Sequence, residues 1–89
     1  MTASEPDPKD AAQAHLLSGP QPGEHYRHWK GGLYVVVARS VQEDTLEQLV
    51  TYRSLAKGGT WTRTLANFTE RVPLAAGPPL ASAARFERC

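Results

Sequence analysis

The sequence is poor in the residues that most often build a covalent framework or a reactive centre. Its single cysteine, Cys89, has no partner within the chain, so no disulfide scaffold is expected and a reducing cytoplasm is the default setting. No apolar run approaches the ~20 residues that a bilayer-spanning helix needs, so no membrane partner is expected. The opening stretch is acidic, polar and proline-containing, unlike a signal peptide. The closing Phe86-Glu87-Arg88-Cys89 departs from the prenylation pattern, because its cysteine stands last rather than fourth from last.

Excess charge is lacking too. The net charge is +1, which singles out no partner class. Its distribution is uneven: from Glu24 onward nine Lys/Arg face six Asp/Glu, a mild basic bias well short of a nucleic-acid-binding signature. No glycine-rich loop follows a strand and opens a helix, so no nucleotide cofactor is expected. Ser40 and Ser54 supply hydroxyls, and Asp44 and Glu47 carboxylates, but none sits in a nucleophile-elbow context beside His28. His25 and His28 form an H-x-x-H pair whose members point to opposite faces of a strand. Zinc asks for three or four ligands, so no metal is expected.

The chain does have a dense β-forming middle. With 89 residues it is read as one domain, and a domain this small buries a limited core. Hydrophobic content of 40% and charged content of 21% suit a globular domain with polar tails. Nearly all the aromatic residues lie between Tyr26 and Val72. Residues 1–23 read as a flexible tail broken by Pro6, Pro8, Pro20 and Pro22, with one short helical piece after an Asp10 cap. Residues 24–74 read as the domain, and residues 75–89 as a second flexible tail, with Arg85-Phe86 as a segment that adds back onto a sheet edge.

Within the domain, Glu24 to Lys30 is predicted as a strand that puts Tyr26, His28 and Lys30 on one face. Gly31-Gly32 then makes a hairpin, because both positions tolerate positive φ. Leu33 to Arg39 is the second strand, apolar on both faces at first. Gln42 to Thr45 is a polar turn, Leu46 opens a loop, and Leu49 to Leu55 is the third strand by its Val-Thr-Tyr content. Lys57-Gly58-Gly59 turns the chain again. Thr60 to Leu65 is the fourth strand, with Trp61, Arg63 and Leu65 facing one way and Thr60, Thr62 and Thr64 the other. Ala66-Asn67-Phe68 suits one 3₁₀ turn before a short closing strand, Thr69 to Val72. Five short strands at hairpin spacing predict an all-β fold, a small five-stranded SH3-like barrel with one 3₁₀ turn before the last strand. Closure would remove exposed sheet edges.

The same residues carry a resemblance. Tyr26-Arg27-His28-Trp29-Lys30-Gly31, then Tyr34 and Val36, then Asp44-Thr45-Leu46-Glu47-Gln48-Leu49-Val50-Thr51-Tyr52-Arg53-Ser54-Leu55, then Trp61-Thr62-Arg63-Thr64-Leu65, Phe68, Glu70 and Val72 appear in this order. The chain thus resembles a bacterial family of small domains of unknown function. That family's pattern reads Y-R-H-Y-K-G, Y-x-V, E-T-L-E-x-L-V-V-Y-R-A-L and W-V-R-P-L-x-x-F-x-E-x-V. The resemblance implies a shared fold and supplies no reaction. Trp29 stands where the family has Tyr, Thr64 where it has Pro, and Ala56-Lys57 in a turn where it carries an aromatic and an acidic residue.

One arrangement stands out as candidate chemistry. Tyr26, His28, Lys30, Tyr52, Arg53, Trp61 and Arg63 mix aromatic and cationic side chains on neighbouring strands. Aromatic faces beside guanidinium groups hold peptides, bases or acidic groups by stacking and charge-assisted hydrogen bonds. The competing reading makes Tyr52 and Trp61 core residues, with arginines lying over them. Three functional classes follow. The first is a non-enzymatic module that binds a peptide or partner protein. The second is a nucleic-acid binder with steep salt dependence. The third is a small-ligand sensor or accessory domain of an enzyme built around His28, Tyr52 and Arg63, which requires a concave pocket.

Overall fold

The structure is a computed structural model that describes residues 7–74 and 81–89. Strand β1 (His25–His28) ends before the glycine pair, and β2 (Leu33–Val41) returns antiparallel to it. Gly31 and Gly32 both have positive φ, 101° and 91°, a conformation L side chains rarely adopt. The expected strand over Glu24–Lys30 is thus shortened, because the turn draws in Trp29 and Lys30 as well as the glycines. Strands β3 (Gln48–Ser54) and β4 (Thr60–Thr64) follow as a second hairpin, closed by Gly58 at φ 73°.

One helical turn, α2 (Leu65–Phe68), comes next. Thr64 caps it, its hydroxyl oxygen accepting from the Asn67 N–H at 3.1 Å. A hydroxyl cap therefore works where the resembling family carries proline. The turn closes with an i→i+4 bond, the Thr69 N–H to the Leu65 carbonyl at 3.0 Å, so it is α rather than the expected 3₁₀.

The last part of the chain departs most from expectation. The fifth strand of the sheet is not Thr69–Val72. Strand β5 (Arg71–Pro73) leaves the sheet and pairs with β6 (Ser82–Ala84) in a separate two-stranded ribbon. Pro73 has no N–H to give, which confines it to such an edge. The fifth position belongs to β7 (Phe86–Arg88), antiparallel to β1 with Phe86 opposite His28. The reading of residues 75–89 as a flexible tail therefore fails for 81–89, while the addition of Arg85-Phe86 to a sheet edge is what the structure shows. Residues 75–80 lie outside the described residues, as do 1–6 of the N-terminal tail.

The main sheet runs β4-β3-β2-β1-β7, so the fold is all-β with three short helical pieces among the described residues. Among the described residues no ladder joins β4 to β7; side chains rather than backbone bonds fill the space between the sheet and α2. One face carries the core of Tyr26, Val36, Val50, Tyr52, Phe68 and Phe86, with Tyr34 and Leu65 packed against it. Phe68 and Phe86 stack at 4.2 Å with planes 5° apart, and the Phe86 ring also meets His28, Tyr34 and Tyr52 at 5.0, 5.7 and 5.1 Å.

A bulge between Val36 and Ala38 reverses the in–out parity of β2. Val37 is pushed outward, 48% exposed, and Arg39 comes round to the core face opposite Val50. The Arg39 guanidinium donates to the carbonyls of Ser18 and Pro20 at 2.7 and 2.6 Å, to that of Leu49 at 3.3 Å, and to Gln48 Oε1 at 2.9 Å. It thereby pins residues 18–20, read from the sequence as tail, to the sheet. Ahead of them lie α1 (Pro8–Ala14) and a 3₁₀ turn (His15–Leu17). The α1 cap is Asp7, accepting from the Lys9 N–H at 2.8 Å, rather than Asp10, because Pro8 at the first helical position suits an earlier start.

Emptying the site of a large buried aromatic costs about 3–5 kcal/mol, most of the stability of a domain this size. Phe86→Ala is therefore expected to leave the domain largely unfolded in urea titrations read by tryptophan fluorescence, whereas Val37→Ala, on the bulge, leaves the midpoint almost unchanged.

Candidate functional site

The core face does not close over its whole area. Toward the two glycine hairpins it opens into a cleft of about 270 Å³ lined by His28, Tyr34, Tyr52, Trp61, Arg63 and Phe86. Register explains the convergence. Val36, Tyr52 and Trp61 stand in one row across β2, β3 and β4, while Tyr34 and Ser54 pair in the next row toward the turns. His28 and Phe86 pair across β1 and β7.

Trp61 is 60% exposed and stands over Gly59, where a Cβ would come within 3.3 Å of the indole nitrogen. It is a wall of the cleft and not a core residue. Tyr52 is 5% exposed, so its ring is core while its hydroxyl serves Arg63. The Arg63 Nε donates to Tyr52 Oη at 2.8 Å, Nη1 donates to Asn67 Oδ1, and the guanidinium lies 5.7 Å from the Phe86 ring centre. Among the described residues no carboxylate forms an ion pair with Arg63; both its partners are neutral. The Nη2 group has no protein acceptor among them.

His28 completes the cleft. Its Nδ1 accepts from the Lys30 N–H at 3.2 Å, which orients the ring and leaves Nε2 as the donor of the neutral form. Burial first, then the positive charges of Arg63, Arg85 and Lys30, hold its pKa below the ordinary 6.5. Arg85 is itself under-satisfied: its Nε is buried without a partner among the described residues, and its Nη2 reaches Glu70 only at 3.8 Å. Trp61 separates the cleft from a second hollow lined by Gly31, Gly32, Tyr34, Ser54, Ala56, Lys57 and Gly59. Among the described residues no carboxylate lines either hollow.

The sequence-predicted set is thus divided. His28, Tyr52, Trp61 and Arg63 come together. Tyr26 is on the same face but buried in the core, its hydroxyl donating to Glu24 Oε1 at 3.0 Å and its pKa pushed up to about 12 by burial and that carboxylate. Lys30 lies in the turn with Nζ 5.1 Å from the Trp29 ring, not on the strand face it was expected to share with His28. Arg53 is exposed on the opposite face, in register with Val35 and Thr60. Tyr34 and Phe86 were missed. The alternation along β2 already put Tyr34 beside Val36 on one face, but Phe86 lies too far along the chain for any local pattern to bring it in. His25 faces away from His28, and among the described residues no group of three His, Cys, Asp or Glu side chains gathers as a metal site. Among them, too, no helix is long and apolar enough to cross a membrane.

The family pattern of the sequence and this sheet converge on one assignment. The sequence profile described as "Protein of unknown function (DUF1653)" matches residues 24–88. The chain belongs to the DUF1653 family. Its match runs through β7, so the family domain includes the strand that carries Phe86. A crystal structure of a DUF1653 protein from Bordetella bronchiseptica is 32% identical, with a TM-score of 0.61 over 80% of this chain and 87% of that one. No curated protein matches the chain. Membership in DUF1653 gives the fold a family and assigns it no activity.

The low His28 pKa has a sign. The unfolded chain takes up the imidazole proton near 6.5, at a higher pH than the folded one, so stability falls as pH drops below 6.5 through the folded value. An NMR titration is expected to give His28 a pKa below 6.5, and Arg63→Gln to move it upward by removing a neighbouring charge.

Proposed function

We propose that this DUF1653 domain is a non-enzymatic binding module that holds a segment of a peptide or partner protein in the Trp61–Arg63 cleft. One observation carries the reading: an exposed tryptophan and an arginine whose acceptors among the described residues are neutral share an open, aromatic-walled cleft. A half-buried guanidinium has lost part of its hydration, and an external anion would restore charge-assisted hydrogen bonds there. The flat walls of Tyr34 and Trp61 offer apolar contact beside that charge. Specificity would then come from one charged group set among aromatic faces, the usual build of a small recognition site.

The nucleic-acid alternative draws less support. The cations are split between two faces, with Arg63 in the cleft and Arg27 and Arg53 on the outer side of the sheet. Phosphate tracking asks for a continuous basic strip. The third reading, a ligand sensor or enzyme accessory domain, needs the same cleft without a macromolecular partner.

Amide shift mapping with benzoate and with capped Glu- and Phe-containing dipeptides tests the proposal. The expected shifts fall on Tyr34, Gly59 and Phe86. Arg63→Gln is expected to weaken benzoate binding about tenfold, the scale of one charge-assisted hydrogen bond, while Arg53→Ala leaves it unchanged. Shifts confined to Arg27 and Arg53, with a steep salt dependence for a single-stranded oligonucleotide, would replace this reading by the nucleic-acid one.

A further inference from the structure

Two walls of the cleft, Trp61 and Arg63, stand on β4, an edge strand of the sheet. The Ser54 N–H donates to the Gly59 carbonyl at 2.9 Å, which marks Ser54 and Gly59 as a hydrogen-bonded pair. Antiparallel pairs alternate between bonded and non-bonded. With Arg53 opposite Thr60 and Tyr52 opposite Trp61, the bonded pairs are then Tyr52–Trp61 and Val50–Arg63. The backbone groups of Trp61 and Arg63 turn inward to β3, and those of Thr60 and Thr62 turn outward. The Thr51 and Thr62 hydroxyl oxygens, 3.0 Å apart, fit the closer side-chain approach of a non-bonded pair. Among the described residues nothing accepts from or donates to the outward groups of Thr60 and Thr62.

Most exposed edges are blunted by a lysine, a proline or a bulge. Strand β4 has no lysine, proline or bulge, and its one charge, Arg63, faces the cleft: it reads Thr60-Trp61-Thr62-Arg63-Thr64 in unbroken register with β3. The bulge of the sheet lies on β2, inside it. A strand laid along β4 would send alternate side chains to the face of Trp61 and Arg63, with Cβ atoms about 5 Å from theirs. That face carries Arg63, with Lys57 in the adjoining hollow, and among the described residues no carboxylate lines either hollow.

Resting on the cleft reading above, we infer that β4 is a docking edge for an extended acidic peptide, which adds as a sixth strand and sets an Asp or Glu side chain against Arg63. Backbone bonds to Thr60 and Thr62 supply affinity independent of sequence. The carboxylate on Arg63 and an apolar side chain against Trp61 supply selection, as in other strand-addition partners. The occupant is acidic because the face it meets is cationic, and extended because the edge offers ladder positions.

Thr62→Pro separates this from binding in the cleft alone. The Thr62 N–H points away from β3, so proline removes an outward donor and leaves the β3–β4 ladder in place. The probe is a pool of capped heptapeptides with Thr and Val alternating and one Glu at each position in turn. On the unmodified protein the acidic pool is expected to slow hydrogen exchange at the Thr60 and Thr62 amides and to shift the Trp61 indole N–H. A Gln-for-Glu pool binds about tenfold more weakly, on the scale of a lost charge-assisted bond. Thr62→Pro binds the pool at least about tenfold more weakly, on the scale of lost ladder bonds, yet binds benzoate as the unmodified protein does. A backbone N-methylated pool gives the same loss without altering the protein. Unslowed exchange at both threonines, or equal binding by the N-methylated pool, overturns the docking edge while benzoate binding leaves the cleft standing. Failure of benzoate and pool alike overturns both.

Discussion

The structure depends on the stack of Phe68 on Phe86. These two rings come from opposite ends of a long excursion: α2 delivers one, then the chain leaves the sheet through β5 and β6 before β7 delivers the other. Each alone would leave a hole under the sheet. Together they seat Tyr26 and Tyr52 edge-on and give His28 and Tyr34 a surface to lean on. Aromatic pairs in such geometry add about 0.5–1.5 kcal/mol beyond the area they bury. In a domain with so few fully buried side chains that is a sizeable share of the total.

The same stack explains why one face serves as both core and cleft. Phe86 covers the β1 side of the sheet and meets β4 through the Arg63 guanidinium, 5.7 Å from its ring centre. The rings of Phe68 and Phe86 fill the space over Val36, Val50 and Tyr52, and beyond them the face falls open at Trp61. Tyr52 spans the boundary, with a buried ring and a hydroxyl turned to Arg63. Arg63 therefore sits where water is partly excluded and where its partners among the described residues are uncharged. Charge in that setting interacts more strongly than on an open surface, for the first anion that reaches it and for His28 beside it. By comparison the exposed pair Lys9–Glu43, at 3.2 Å, adds little.

A second constraint works at the other end of the sheet. Without the bulge at Val37, Arg39 would face outward and residues 18–20 would have no anchor. With it, Arg39 turns inward, where its donors satisfy carbonyls of a segment that forms no strand. Glu24 works alongside, taking the Gln21 N–H, the Tyr26 hydroxyl and Arg88; these bonds, led by the backbone N–H, lower its pKa. Through Glu24, side-chain bonds thus link the N-terminal lead-in to the C-terminal strand, which itself joins the sheet by its ladder to β1.

Local pattern alone determined most of the sheet. Gly31, Gly32 and Gly58 set the two hairpins because they adopt a positive φ that L side chains rarely take. Tyr52, Trp61 and Arg63 were legible because strand periodicity is short-ranged and one hairpin joins their strands, β3 and β4. The alternation along β1 gave His28 its face, and β2 carries the sheet from it to Tyr52. Tertiary structure decided what periodicity does not encode. It drew Phe86 from an apparent tail into the centre, sent the expected fifth strand into a side ribbon, and split the aromatic residues into core, as for Tyr26, and cleft wall, as for Trp61. A ring is buried or left open according to what lies above it, and what lies above this sheet arrives from a strand that follows β1 by some sixty residues.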